Sequence, residues 1–234
     1  MPPRAGSISP SIAQASTGFP MADYREKSEY YSDTGVASYD RKRFQSLEGR
    51  IKDRNDWRAL KRALDRVEDK SLVLDLPSGT GRFFPELAAQ GFPMIAADLS
   101  PQMLRYSRER YPEASRRFMF GRFDLERLPF RDKTIPCTIV FRFFHLVTDE
   151  RICIEILQEL NRVTSGWVIA TFHHRYTFKY LSDRLRGRRP KAKLRFRDLR
   201  RMVAASGLHL EQIIPTGYPF SSNWVVLLRA QPVT

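Results

Sequence analysis

Leu72-Val-Leu-Asp-Leu-Pro-Ser-Gly-Thr-Gly81 is the stretch on which the reading of the chain turns. Val73, Leu74 and Leu76 around Asp75 have the composition of a short buried strand. Gly79 and Gly81 follow, and with no Cβ they let backbone approach a ligand closely. An apolar, helix-like run from Phe83 to Ala89 comes next. A strand, a glycine turn and a helix make a nucleotide site, because the helix start offers unpaired N–H groups at the strand's carboxyl end. An acid just before the glycines is unusual for a phosphate site and suits a ligand with a positively charged amino group.

The surrounding pattern alternates strands and helices. A helix is expected over residues 56–67, with Trp57, Leu60, Ala63, Leu64 and Val67 on one face. Strands are expected over 71–76, 93–98, 117–123, 137–143 and 166–172, with helices over 83–90, 100–110, 149–163 and 197–205 between or after them. Gly91 and Gly207 read as helix stops, and Ser100-Pro101 as an N-cap followed by proline at the first helical position. Two last strands, 208–215 and 223–229, read as an antiparallel hairpin at the sheet edge. The expected fold is α/β: a doubly wound, mostly parallel, Rossmann-like seven-stranded sheet with an antiparallel terminal hairpin and an N-terminal helical cap.

Length and composition fit one domain with appendages: 234 residues, of which 42% are hydrophobic. Residues 1–20 read as a disordered tail rich in Ser, Pro and Ala, and 21–68 as a polar and aromatic cap. Residues 69–172 form the expected core, 173–207 a basic segment and 208–234 the terminal hairpin. No apolar run is long enough to span a bilayer. Cys137 and Cys153 have no metal or redox spacing, so no metal site is expected and both read as buried free thiols, which fits a reducing cytoplasm. The net charge of +14 is local: Arg184 to Arg201 holds ten basic side chains against one acid, Asp198.

Asp75, Asp98 and Asp124 fall at the ends of three successive expected strands, which in an open α/β sheet line one crevice. Asp98 lies 17 residues after Gly81, near the spacing at which an acid grips ribose hydroxyls. A single strand-end Asp is as readily a helix cap or a turn; three beside a glycine loop are harder to explain that way. A dehydrogenase loop would order its glycines G-x-G-x-x-G, which this stretch does not.

These residues resemble the class I S-adenosylmethionine-dependent methyltransferases, in particular the type 11 group that includes ubiquinone-biosynthesis-like enzymes. VLDLPSGTGRF (73–83), AADLSPQML (96–104), GRFDLERLPF (121–130) and IVFRFFHLV (139–147) are similar to the family's four motifs in order and spacing. The resemblance implies S-adenosylmethionine as cofactor. It implies that Asp75, Ser78, Gly79 and Gly81 hold the methionine moiety and Asp98 the ribose. Leu99 and Met103 would pack on the adenine, and Asp124 and Leu125 would meet the adenine amino group. Phe141 and Arg142 would lie beneath the cofactor, while Tyr39 and Arg43 of YDRKRF would close over it, the arginine on its carboxylate. Pro77, Ser78 and Ile135-Pro136 depart from the usual family residues.

For an acceptor that must lose a proton, His145 is the expected general base, ahead of His173, His174, Tyr30 and Tyr31. The bland alternative is a histidine that packs or caps the next helix. The implied function is methyl transfer to a small or lipid-linked metabolite. The alternative is an RNA methyltransferase that docks nucleic acid through 184–201, with Phe178, Tyr180 and Phe196 as stacking residues. The same segment would equally suit an anionic membrane surface, giving a cytoplasmic protein peripheral at a membrane, or it is a solvated loop. The markers of exocyclic-amine and cytosine-C5 methylation are missing. The intact set of three acids and two glycines argues against a member that keeps only the fold.

Overall fold

The computed structural model describes residues 47–175, 180, 182, 185, 186, 194–217 and 222–231. The tail and the first part of the cap, with Tyr30, Tyr31, Tyr39 and Arg43, lie outside the described residues, as do Phe178 and, in the basic segment, Arg184, Arg188, Arg189, Lys191 and Lys193.

In chain order the elements are α1 (Leu47–Leu64), β1 (Val73–Asp75), α2 (Phe84–Gln90), β2 (Met94–Asp98), α3 (Pro101–Arg110) and α4 (Pro112–Ser115). Then come β3 (Phe118–Arg122), β4 (Ile135–Val140), α5 (Glu150–Val163), β5 (Thr164–His173), α6 (Phe196–Ala205), β6 (His209–Pro215) and β7 (Asn223–Arg229). The seven strands form one sheet in the order β3-β2-β1-β4-β5-β7-β6. The first five are parallel, and β7 runs antiparallel to both β5 and β6.

β1, β2 and β4 are buried along their whole length, as strands of a parallel sheet covered on both faces must be. One core, with Leu60, Leu64, Phe84, Ile139, Ile169 and Val225, packs α1 and α2 on one face. The other, with Leu74, Ile156, Leu160, Val168, Met202 and Val226, packs α5 and α6 on the opposite face. Cys137 and Cys153 are buried free thiols, and burial pushes both up to about 12, so they stay protonated and inert.

The Ser100 cap acts as expected, and Asp149 is found to cap α5. The Ser100 hydroxyl accepts from Met103 N–H at 3.4 Å, and the Asp149 carboxylate accepts from Arg151 N–H at 2.8 Å. Several boundaries differ from the sequence expectation, and those of α1 and β4 have clear causes. α1 begins at Leu47, not at 56, because its first turns are largely exposed and carry no apolar period; Leu47 is 71% exposed. β4 starts at Ile135, where Pro136 is accommodated by a register irregularity between Ile135 and Cys137. It ends at Val140, because Arg142 takes φ +56° and turns the chain out of the sheet.

Candidate functional site

The carboxyl ends of β1, β2 and β4 lie side by side, where an open α/β sheet places its ligand crevice. β1 ends at Asp75, whose Cα pairs with Ala96 on one side and Ile139 on the other. The Leu76–Pro77 bond is cis. Ser78 N–H donates to the Ala97 carbonyl at 2.7 Å, Gly81 N–H to the Ser78 carbonyl at 3.1 Å, and Phe84 N–H to the Gly81 carbonyl at 2.9 Å. Both loop glycines take left-handed backbone, φ +55° at Gly79 and +69° at Gly81, which a side chain strains. Their surroundings differ. A Cβ on Gly81 would lie 2.7 Å from Phe84 Cδ2 and 2.9 Å from Ser107 Cβ, while a Cβ on Gly79 would meet nothing within 4 Å. Gly81 is therefore required by packing, and Gly79 leaves space open.

Asp98 bridges the loop and the start of α3. Its Oδ2 accepts from Gly79 N–H at 2.9 Å and its Oδ1 from Ser100 N–H at 2.9 Å. Each carboxylate oxygen offers two lone-pair sites, so acceptor capacity remains for a pair of hydroxyls. Asp75 and Asp98 are both buried, at 7% and 6% exposure. Burial, with the charge of Asp98 second, pushes the Asp75 carboxyl up to about 8; burial pushes Asp98 up to about 6 against the pull of the Ser100, Gly79 and Leu99 backbone. Two acids held near neutrality side by side form a cradle suited to a cation. Beside them the Ser78 hydroxyl is buried and without a hydrogen-bond partner among the described residues. A ligand bearing an ammonium or sulfonium centre and vicinal hydroxyls matches that donor and acceptor set.

The stability consequence follows from the sign of the shifts. Both acids hold their protons more tightly folded than unfolded, so their contribution is complete below the unfolded value of about 4. It is lost as pH rises through about 6 and then about 8.

The structure sorts the other expected site residues. Leu99 is half-buried and Met103 buried in the first turn of α3. Asp124 lies two residues past the end of β3, half-buried, and its Oδ1 accepts from Glu126 N–H at 3.1 Å, so one oxygen is used in a local turn. Leu125 is buried in the core. Phe141 meets Phe83 edge-on at 5.2 Å between centroids. The Arg142 guanidinium is engaged by a carboxylate of another element. It reaches across to α1, where its Nε and Nη2 donate to Asp56 Oδ2 at 3.0 and 2.5 Å.

Asp56, Arg82 and Asn223 are the residues that sequence reasoning missed. Asp56 is fully buried on the same helical face as Leu60 and Ala63. An acid inside an apolar stripe was the available signal, since a buried charge demands a partner. Its partners come from far along the chain: Arg82 Nη2 at 2.9 Å, Arg142, and Asn223 Nδ2 at 3.4 Å. Arg82 also pairs with Asp53. The two guanidinium groups hold the Asp56 carboxyl below its ordinary value against the opposing effect of burial.

The histidines separate. His145, after β4, stacks on His173, at the end of β5, with ring centroids 4.5 Å apart and planes 11° from parallel. His174 is fully buried and stacks on Trp224 at 4.4 Å. It belongs to the packing of β7. In the basic segment, Arg195, Arg197, Arg200 and Arg201 are exposed. Arg200 lies over the Phe196 ring at 5.3 Å, and Arg201 pairs with Glu150 at 2.9 Å. Among the described residues no helix is long and apolar enough to cross a membrane, and no three His, Cys, Asp or Glu side chains are grouped to hold a metal ion.

The strand order, five parallel strands with an antiparallel pair beside them, is the Rossmann-like sheet seen in class I S-adenosylmethionine-dependent methyltransferases. Residues 73–165 match the family model described as a methyltransferase domain. The chain is 35% identical over 96 residues to the biotin biosynthesis bifunctional protein BioHC of Cellvibrio japonicus, covering 41% of this chain and 18% of that protein. It is 34% identical over 122 residues to the demethylmenaquinone methyltransferase of Thermobifida fusca, covering 50% of each. The chain thus spans half or less of the length of these curated relatives. Among solved structures, the magnesium protoporphyrin IX methyltransferase of Synechocystis PCC 6803 with bound SAH superposes with a TM-score of 0.68 at 16% identity, covering 89% of this chain and 100% of that one.

Proposed function

We propose that the protein is an S-adenosylmethionine-dependent methyltransferase that acts on a small or lipid-linked metabolite. The observation that carries this reading is the buried Asp75–Asp98 pair around the open space at Gly79. S-adenosylmethionine, when bound, supplies an activated methyl group for in-line displacement. In this reading Asp98 accepts from the two ribose hydroxyls. Asp75 and Ser78 take the methionine ammonium, and Leu99 and Met103 wall the adenine. Asp124 meets the adenine amino group, and Leu125 supplies backbone beside it. Phe141, packed on Phe83, forms apolar wall at the exit of β4.

An ammonium on Asp75, close to Asp98, drives both carboxyls to ionise. Cofactor affinity therefore rises with pH between about 6 and 8, and binding near neutrality releases protons. Calorimetric titration with S-adenosylmethionine in two buffers of different ionisation enthalpy measures this directly. Equal heats in the two buffers would contradict the cradle.

His145 stands where β4 opens toward an acceptor and is the proposed general base, with the parallel ring of His173 limiting its orientations. The relatives named for demethylmenaquinone and for biotin biosynthesis support a small or lipid-linked acceptor. The exposed Arg195, Arg197 and Arg200 beside Phe196 favour an anionic one, and they leave an RNA acceptor as the second reading. Methyl-labelled cofactor incubated with fractionated extract tests both. Label entering the lipid or small-molecule fraction is expected, and His145→Gln should lower its rate by about 10²-fold or more while leaving cofactor binding intact. Label entering RNA establishes the second reading, and no label in any fraction defeats both.

A further inference from the structure

The crevice is held together from outside the segment that carries its motifs. Arg82 follows Gly81 directly, so its side chain is an extension of the glycine loop. Arg142 lies two residues past β4, on strained left-handed backbone, with its N–H donating to Thr171 Oγ1 of β5 at 2.5 Å. Asn223 opens β7, opposite His173. These three elements meet at one carboxylate, that of Asp56 in α1. The guanidinium of Arg82 also lies against two aromatic rings, with its Cζ 4.4 Å from the Phe83 ring centroid and 5.8 Å from that of Phe141. Asp56 is 0% exposed, and the side chains of Arg82 and Arg142 are only 11% and 13% exposed.

A fully buried carboxylate shared by two arginines is a costly arrangement to desolvate. It is weak evidence for stability as such, because apolar packing can do as well. What it supplies is geometry: a planar guanidinium that donates through two nitrogens fixes both distance and angle, which an apolar contact does not. Arg142 reaches Asp56 in this way, through Nε and Nη2. The φ of +56° at Arg142 points the same way, since unfavourable backbone persists where surrounding contacts over-determine it.

We infer that Asp56 is a positioning residue for the cofactor crevice: through Arg82 it sets the glycine loop, and through Arg142 it sets the exit of β4. This rests on the cofactor reading above. α1 precedes residues 73–165, so a helix outside the matched methyltransferase domain is part of what shapes its binding site.

The test compares S-adenosylhomocysteine binding by calorimetry in the full chain, with Asp56→Asn and Leu60→Ala side by side. Leu60 is fully buried on the same helix but in the apolar core, so Leu60→Ala lowers stability without touching either arginine. Both variants are measured at a temperature where circular dichroism shows them folded. Asp56→Asn should weaken binding about tenfold or more, while Leu60→Ala stays within about twofold of the parent. Equal affinity for the parent and Asp56→Asn, or equal losses in both variants, would overturn the inference. If Asp56→Asn does not fold, Arg142→Lys replaces it: the charge stays, the two-nitrogen contact goes, and unchanged affinity again overturns the inference. No binding by the parent chain would remove the cofactor reading, a result distinct from either.

Discussion

Asp98→Ala should raise the dissociation constant for S-adenosylhomocysteine at least about 100-fold, a loss of about 2.7 kcal/mol. The substitution removes the acceptor for two ribose hydroxyls and leaves the N–H groups of Gly79 and Ser100 without the oxygens that now receive them at 2.9 Å. Hydrogen bonds to a charged group contribute about 1.5–3 kcal/mol each, so losing two accounts for the effect before any loosening of the loop. Asp124→Ala serves as the comparison. Asp124 is half-buried and already bonded to Glu126 N–H, so its removal should cost about tenfold or less. Isothermal titration of both variants reads the difference, and a smaller effect for Asp98→Ala than for Asp124→Ala would contradict the assignment.

The two loop glycines should fail in opposite ways. Gly81→Ala places a Cβ 2.7 Å and 2.8 Å from the Phe84 ring and 2.9 Å from Ser107 Cβ, on backbone at φ +69°. Left-handed backbone costs roughly 1–2 kcal/mol for a residue with a side chain, and overpacking adds about 1–3 kcal/mol. A drop in melting temperature of roughly 5–15 °C follows. Gly79→Ala has the backbone cost alone, because its Cβ meets nothing within 4 Å. It should lose little stability, yet binding should weaken about tenfold or more, because the added methyl enters the space beside Asp98 that the ligand would fill. Thermal scanning and titration of both variants separate the outcomes. A Gly79→Ala protein that binds as well as the parent would show that the open space is not ligand space.

The parts of the fold carried by local chemistry are legible in the sequence. Buried Val, Ile and Leu runs marked the central strands, and Ser100-Pro101, Asp149 and Gly91 marked helix ends through hydrogen bonds that span three residues or fewer. The contact of Asp98 with the glycine loop was readable for the same reason: Asp75, Gly79 and Gly81 fall within seven residues, and Asp98 recurs at one strand-helix unit's distance. Long-range pairing was not readable. The terminal strands were expected as a hairpin at the edge, and β6 is the edge; that β7 inserts between β5 and β6 is a matter of sheet order, which no local pattern encodes.

The same distinction applies within the site. Arg142 was expected under the cofactor because its motif places it at the end of β4. Nothing in its neighbours signals left-handed backbone in a residue with a long side chain, nor a partner 86 positions earlier in the chain. Asp56 left one trace, an acid on the buried stripe of α1, but its partners lie 26, 86 and 167 positions away. The His145–His173 stack likewise depends on β4 and β5 being neighbours. His173 and His174 are adjacent at the end of β5, where successive side chains face opposite ways, and they have different partners, His145 and Trp224.

The most direct test of the whole account is a calorimetric titration of the parent chain with S-adenosylhomocysteine near neutral pH. The account predicts saturable binding at one site per chain, with a dissociation constant on the order of 10 μM or tighter, competed by S-adenosylmethionine. Failure of the folded chain to bind either molecule would contradict it.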